Sequence, residues 1–381
     1  RYRACGRGFG ASPRAFAAMK ILLLAGEESG VIYANALKAS VSLRGAEIRG
    51  YDTYGFKTED LAVFGFLAVL KRIFFFLRVK RTLERAIDEW RPDAVCTIDY
   101  PGMNLKLAAY AKKRGIRTVH VVCPQVWAWK AGRIPKIEAA LDRLCCFFPF
   151  EPRLFKPGFA TFVGHPLAAS FGAAQATEAG LVAALPGSRL GEIERHLPLM
   201  LAALKNVKGA RRIVVPAANG RAEAAIRRIV AANPAADKDV VVQRGGARDV
   251  LQRAECAVVA SGTATLEAAL ARCPTVLVYK VDPLLAWFLR HAITGVKHVG
   301  LANIIWEKAG GEGAEPMPEL LQEDFTPVAV ARWLNMWLSD PAARQAAVSR
   351  LDSAVRLLEG DTCAVDRIAA ILKERTTDGL P

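Results

Sequence analysis

The sequence predicts an α/β protein made of two doubly wound domains in tandem, and three observations predict it. Short apolar runs alternate with amphipathic helical stretches, the pattern of parallel strands covered by helices. The alternation stops near residue 165 and resumes near 180, across HPLAASFGAAQATEAG, a stretch rich in small residues that looks like a linker. The length of 381 residues suits two domains at roughly 100–200 residues each.

Strands are expected at 21–25, 94–98 and 118–122 in the first half. In the second half they are expected at 181–185, 212–215, 240–243, 257–260 and 275–279. Helical stretches such as 104–114, 221–232 and 265–271 lie between them. The organisation expected is a leader at 1–18 lying upstream of the true start at Met19, a first domain at 19–167, a second at 168–345, and terminal helices at 346–381 that return to the first. Ligands of such sheets sit at the carboxyl ends of strands, so two domains place the natural site in a cleft between them.

Bulk composition narrows the function. Apolar residues make up 52% of the chain, enough for a large core. The formal charge of +15 points to anionic partners: phosphorylated ligands or an anionic membrane face. The basic residues are spread out with no Lys/Arg-rich tail, which argues against nucleic acid. Eight cysteines without a C-x-x-C pair suggest neither a zinc site nor a disulfide framework, and point to a reducing compartment. No apolar run is long enough for a transmembrane helix.

Two strand-to-helix loops of the second domain carry anion chemistry. In LPGSRLGEI (185–193), Gly187 lets backbone N–H groups approach an anion and Ser188 can cap the next helix. Arg189 adds a fork of donors suited to phosphate. A plain turn with a surface arginine is the competing reading. In ASGTATLEAAL (260–270), Ser261, Gly262, Thr263 and Thr265 offer hydroxyls and amides at a helix start, and Glu267 can accept from a ribose diol. Together the two loops suggest a nucleotide diphosphate cradle. Neither is a P-loop, which disfavours an NTPase.

The first domain offers acid–base and apolar features. AGEESG (25–30) is a Gly-bearing turn containing Glu27, and IDYPGMN (98–104) ends a strand with Asp99. A carboxylate there can take a proton from a hydroxyl nucleophile or simply cap the next helix. Trp127 and Trp129 stand beside Lys130 and Arg133, where they line an acyl or sugar pocket or pack the loop. In 61–86, read as one helix, Lys71, Arg78, Arg81 and Arg85 fall within an arc of roughly 80°. Phe74, Phe75 and Phe76 run beside them. A basic stripe next to exposed phenylalanines suits an anionic bilayer surface, and three in a row cannot all face one core.

Taken together, AGEESG, LAVFGFLAVL, IDYPGMN, CPQVWAWKAGRIPKI, FFPFEPRLF, FVGHPL, LPGSRLGEI, ASGTATLEAAL and the segments around Lys280 and Asn303 resemble the lipid-A-disaccharide synthases. These are inverting glycosyltransferases with two Rossmann-like domains facing across a cleft (GT-B). The resemblance runs in order from about residue 20 to 325. It implies transfer of a diacylglucosamine unit from UDP-2,3-diacylglucosamine to 2,3-diacylglucosamine 1-phosphate, giving a β-1,6-linked disaccharide and UDP. It further implies UDP on the second domain with Asn303 among the substrate contacts, Asp99 as general base with Glu27 as its rival, and acyl chains near the first domain. No metal or cofactor is implied. The location implied is peripheral, on the cytoplasmic face of the bacterial inner membrane, and a second copy of the chain is a candidate partner in a homodimer. The chain departs from the family pattern at Val31, where an aspartate is usual, at Ala34, at Ala302, and in a short stretch between 50 and 61. Another GT-B enzyme of UDP-sugars, or a non-catalytic lipid- or nucleotide-binding paralogue, are the alternatives.

Overall fold

The computed structural model describes residues 19–57, 61, 72–171, 176–234, 237–292, 295–360 and 363–374. The expected leader at 1–18, and the whole of 62–71 with Lys71, lie outside the described residues. The chain divides into two compact units, 1–170 with 360–381, and 171–359. The division expected at 167/168 thus falls at 170/171. Of the terminal helices, Pro341–Arg356 stays with the second unit and Ala364–Lys373 belongs to the first.

The first unit holds strands β1 (Lys20–Ala25), β2 (Glu47–Arg49), β3 (Ala94–Ile98), β4 (Arg117–Val121), β5 (Arg143–Cys146) and β6 (Ala160–Phe162). They form one parallel sheet in the order β2-β1-β3-β4-β5-β6. Strand period two sends Ile21, Leu23 and Ala25 to one face and Leu22 and Leu24 to the other. The first face is covered by helices Glu28–Lys38 and Ala364–Lys373, the latter burying Ile368, Ile371 and Leu372. Each such side chain contributes about 1.5–3 kcal/mol relative to exposure. Arg117 Nη2 donates to Ile371 O at 2.8 Å and Ser40 Oγ to Asp366 at 3.2 Å, fastening the returning helix. The second face is covered by Ile73–Trp90, which buries Val79, Leu83, Ala86 and Ile87, and by Pro101–Lys112.

The second unit holds β7 (Glu178–Leu185), β8 (Arg212–Ala217), β9 (Asp239–Arg244), β10 (Ala254–Ala260), β11 (Thr275–Tyr279) and β12 (Glu319–Leu321). The order is β12-β11-β10-β7-β8-β9, again parallel throughout. Both sheets reverse their winding once, between β1 and β3 in the first unit and between β7 and β10 in the second. Crevices open at such reversals, outside the carboxyl ends of the strands. Among the described residues, no helix is long and apolar enough to cross a membrane.

Candidate functional site

In the second unit the two anion loops meet at the β7/β10 reversal. A cavity of about 350 Å³ is lined there by Gly187, Ser188 and Arg189 after β7, and by Ser261, Gly262, Thr263 and Glu267 after β10. Helices Leu190–Lys205 and Thr263–Leu270 both begin at this crevice, so unpaired amide groups and positive dipole ends converge on it. Gly187 has φ +111°, and a Cβ there would sit 2.5 Å from Glu192 Oε2, so only glycine lets the turn pass beneath that carboxylate. Glu192 holds Arg189 in place, accepting from its Nη1 at 3.2 Å. Burial pushes the Glu267 carboxyl above its ordinary range, with Arg248 opposing the shift.

Three assignments in this unit are corrected. Ser188 does not cap: it is exposed on the crevice wall, and the helix starts after Arg189. Thr265 is fully buried and its hydroxyl donates to Gly262 O at 2.8 Å, so it shapes the loop from within. Asn303 is also fully buried. Its amide donates to Met317 O and Glu319 Oε1, both at 2.8 Å, and its carbonyl accepts from Met317 N at 3.0 Å. Both polar atoms of the Asn303 side chain are therefore engaged within the unit.

Other lining residues escaped the sequence reading. Pro216 and Ala217 at the end of β8, Ala218 after it, and Gly245 and Ala247 after β9 give the cavity a smooth wall with little side-chain bulk. His196 is wholly buried behind the loops, where Nδ1 donates to Pro186 O at 3.0 Å and Nε2 accepts from Lys280 N at 3.1 Å. It ties the turn after β7 to the end of β11. The i to i+3 spacing of Glu192 from Arg189 was a legible signal, whereas nothing in the sequence marked the small wall residues or His196.

In the first unit, Glu27 follows β1 and Asp99 follows β3, on either side of the other reversal. Gly26 is needed because a Cβ there would lie 2.6 Å from the Tyr100 ring. Asp99 and Tyr100 both adopt positive φ, 49° and 51°. Asp99 Oδ1 accepts from Tyr100 N at 2.8 Å. Burial raises the Asp99 carboxyl above its ordinary range, and the same cause, followed by the Asp99 charge, raises that of Glu27. Val31, where the resemblance has an aspartate, packs half-buried against the core shared by β1, β3 and β4.

The aromatic expectations split. Phe74 is 83% exposed, with Ile73 and Leu77 exposed beside it, and Arg78, Arg81 and Arg85 line the same groove. Phe75 and Phe76 instead pack half-buried against the core, Phe75 edge-on to Phe56. One turn of helix therefore does send two of the three rings inward. Trp129 is exposed, with Lys130 Nζ 4.2 Å from its ring centroid. Trp127 is buried against Phe150, and its Nε1 donates to Glu151 at 3.1 Å, so it belongs to the core and not to a lipid-facing wall.

Among the described residues, one group of donors is close enough to hold a metal ion: Cys123, Cys146 and Glu151, all buried, with ligand atoms within 4.8 Å of one another. Burial pushes Glu151 up to about 8, opposed by hydrogen bonds from Phe148 N and Trp127. Glu151 and the two thiols form a buried polar cluster within the core. His120 and His165 are also buried, which lowers them to about 3 and about 4, and His120 Nδ1 lies 2.7 Å from Thr97 Oγ1.

Comparison with known proteins agrees with this geometry. The family model for lipid-A-disaccharide synthetase matches residues 21–371. A lipid-A-disaccharide synthase of Thiobacillus denitrificans is 37% identical over 332 residues, covering 83% of this chain and 86% of that protein. One of Anaeromyxobacter dehalogenans is 38% identical over 326 residues, 82% of each. Among solved structures, Acinetobacter baumannii MurG has a TM-score of 0.58 at 16% identity, covering 93% of this chain and 99% of that one. The calicheamicin glycosyltransferase CalG4 has a TM-score of 0.55 at 15% identity, covering 95% and 100%. At these identities the structures share the fold, a two-unit glycosyltransferase architecture. The motif order and the match over nearly the whole sequence lead to one assignment: the chain belongs to the lipid-A-disaccharide synthase family.

Proposed function

We propose that the protein transfers a 2,3-diacylglucosamine unit from its UDP derivative to 2,3-diacylglucosamine 1-phosphate, forming the β-1,6-linked lipid A disaccharide and releasing UDP. The observation that carries this is the meeting of two strand-to-helix loops at the β7/β10 reversal, in a chain of this family. The diphosphate lies across the two helix starts with Arg189, the ribose diol faces Glu267, and the uracil ring rests on the small residues after β8 and β9. In the first unit Asp99 is the general base for the acceptor hydroxyl, with Glu27 beside it. A UDP-release assay with both diacylglucosamine substrates tests the whole reading. Release only when both are present is expected; release with plain UDP-N-acetylglucosamine as sole substrate overturns it.

The pH dependence follows from the raised Asp99 carboxyl. A general base works only when ionised, so activity falls on acidification through its pKa. Raising that pKa moves the fall to higher pH. The acidic limb of kcat/KM is therefore expected above the ordinary aspartate range of about 4. A limb at or below that value would contradict the assignment.

The exposed face of the Ile73–Trp90 helix meets the anionic surface of the inner membrane. Phe74, Ile73 and Leu77 enter the headgroup boundary while Arg78, Arg81 and Arg85 face lipid phosphates. Changing Ile73, Phe74 and Leu77 to serine is expected to release the protein from anionic vesicles in co-sedimentation without lowering its melting temperature, because the buried face is untouched. High salt weakens binding only in part, since apolar insertion is not screened. Undiminished pelleting of the triple variant excludes this face.

A further inference from the structure

The turn that carries Asp99 is held in an unfavourable conformation. Two consecutive non-glycine residues at positive φ persist only where their surroundings impose that conformation. The surroundings here centre on Asn104, fully buried in the first turn of helix Pro101–Lys112. Its Nδ2 donates to Asp99 O at 2.8 Å and lies 3.2 Å from Ile98 O and 3.3 Å from Leu24 O. Carbonyl oxygens only accept, so the amide nitrogen must face them. Its Oδ1 then accepts from Tyr51 OH at 2.7 Å, and Tyr51 is itself buried.

One amide thus binds the carboxyl end of β1, which leads into Glu27, to the carboxyl end of β3, which leads into Asp99. It does so at the winding reversal. Asp99 N donates to Val121 O at 2.9 Å, anchoring the other side of the turn. With its backbone clamped and Oδ1 taken by Tyr100 N, the Asp99 carboxylate has one oxygen left for a substrate proton.

We propose that Asn104 is a positioning residue for the reaction: its amide fixes the Asp99 turn against the end of β1 and so aims the carboxylate, with Tyr51 holding the amide. This rests on Asp99 being the general base. Among the described residues, Glu27 interacts with the Asp99 charge, and Tyr100 with that of Glu27. Asn104→Ser frees the turn. It is expected to lower kcat about tenfold or more, since small misplacements of a reacting group cost up to 10²-fold. The KM for the UDP-sugar should stay within about twofold, because a kcat loss without a KM change marks an interaction realised in the transition state. The acidic limb should move to lower pH as the carboxylate regains water. Tyr51→Phe, which keeps the ring and removes only the hydroxyl, should move both readouts the same way by less, and guards against a misfolded serine variant. In an Asp99→Asn background neither substitution should lower kcat further. Folded Asn104→Ser and Tyr51→Phe variants with unchanged kcat and an unmoved limb would overturn the proposal, leaving Asn104 a stabilising clamp only. Near-normal turnover by Asp99→Asn alone removes the general-base reading itself, and this proposal with it.

Discussion

Asp99→Asn is expected to lower turnover at least ~100-fold while leaving UDP affinity unchanged. The attacking sugar hydroxyl has a pKa far above 7, and a positioned carboxylate accelerates its attack by ~10²–10⁴-fold. Asparagine keeps the size of the side chain and the acceptor for Tyr100 N, so the turn survives and only basicity goes. The loops proposed to hold the diphosphate belong to the second unit, which this substitution does not touch. Steady-state kinetics with both substrates, together with calorimetry of UDP binding, checks the two halves separately. Near wild-type turnover would make Asp99 a structural residue and shift attention to Glu27.

Arg189→Ala is expected to weaken UDP binding roughly tenfold to a hundredfold, the loss of one charge-assisted contact at ~1.5–3 kcal/mol. The side chain is 68% exposed, so its removal leaves no cavity and no buried group stranded. The expected loss is therefore one of ligand contact and not of folding. Glu192 would be left beside the diphosphate without its cation, and that repulsion adds to the effect. Calorimetry showing unchanged UDP affinity excludes Arg189 from the diphosphate site.

How far the sequence could be read depended on how each element is buried. Strands β1, β3, β4, β7, β8, β9, β10 and β11 stood out as apolar runs, and seven of these eight are interior to their sheets. The edge strands β2, β6 and β12 are three residues long, half-buried or exposed, and had no run to show. Strand β5, Arg143–Cys146, is interior but only four residues long, too short to display a period. The two loops that line the second unit's cavity were legible because glycine, hydroxyls and arginine have few other reasons to cluster after a strand. Thr265, Asn303 and Trp127 misled for the opposite reason: a polar or amphipathic side chain looks the same in sequence whether it faces a ligand or satisfies a neighbour. The phenylalanine run misled because adjacent helical residues point about 100° apart, so two could turn inward while Phe74 stayed out.

The returning helix has a consequence for biogenesis. Because residues 360–381 belong with 1–170, the second unit is an insertion within the first. On the ribosome the inserted unit emerges whole and can fold while synthesis continues. The surrounding unit must wait for helix Ala364–Lys373, since Ile368, Ile371 and Leu372 complete the core over β1, β3 and β4. A nascent chain released early, at about residue 359, therefore carries a finished second unit and an unsealed first unit with apolar sheet surface exposed. Damage to helix Ala364–Lys373 is therefore felt on a sheet whose strands lie more than 200 residues earlier in the chain.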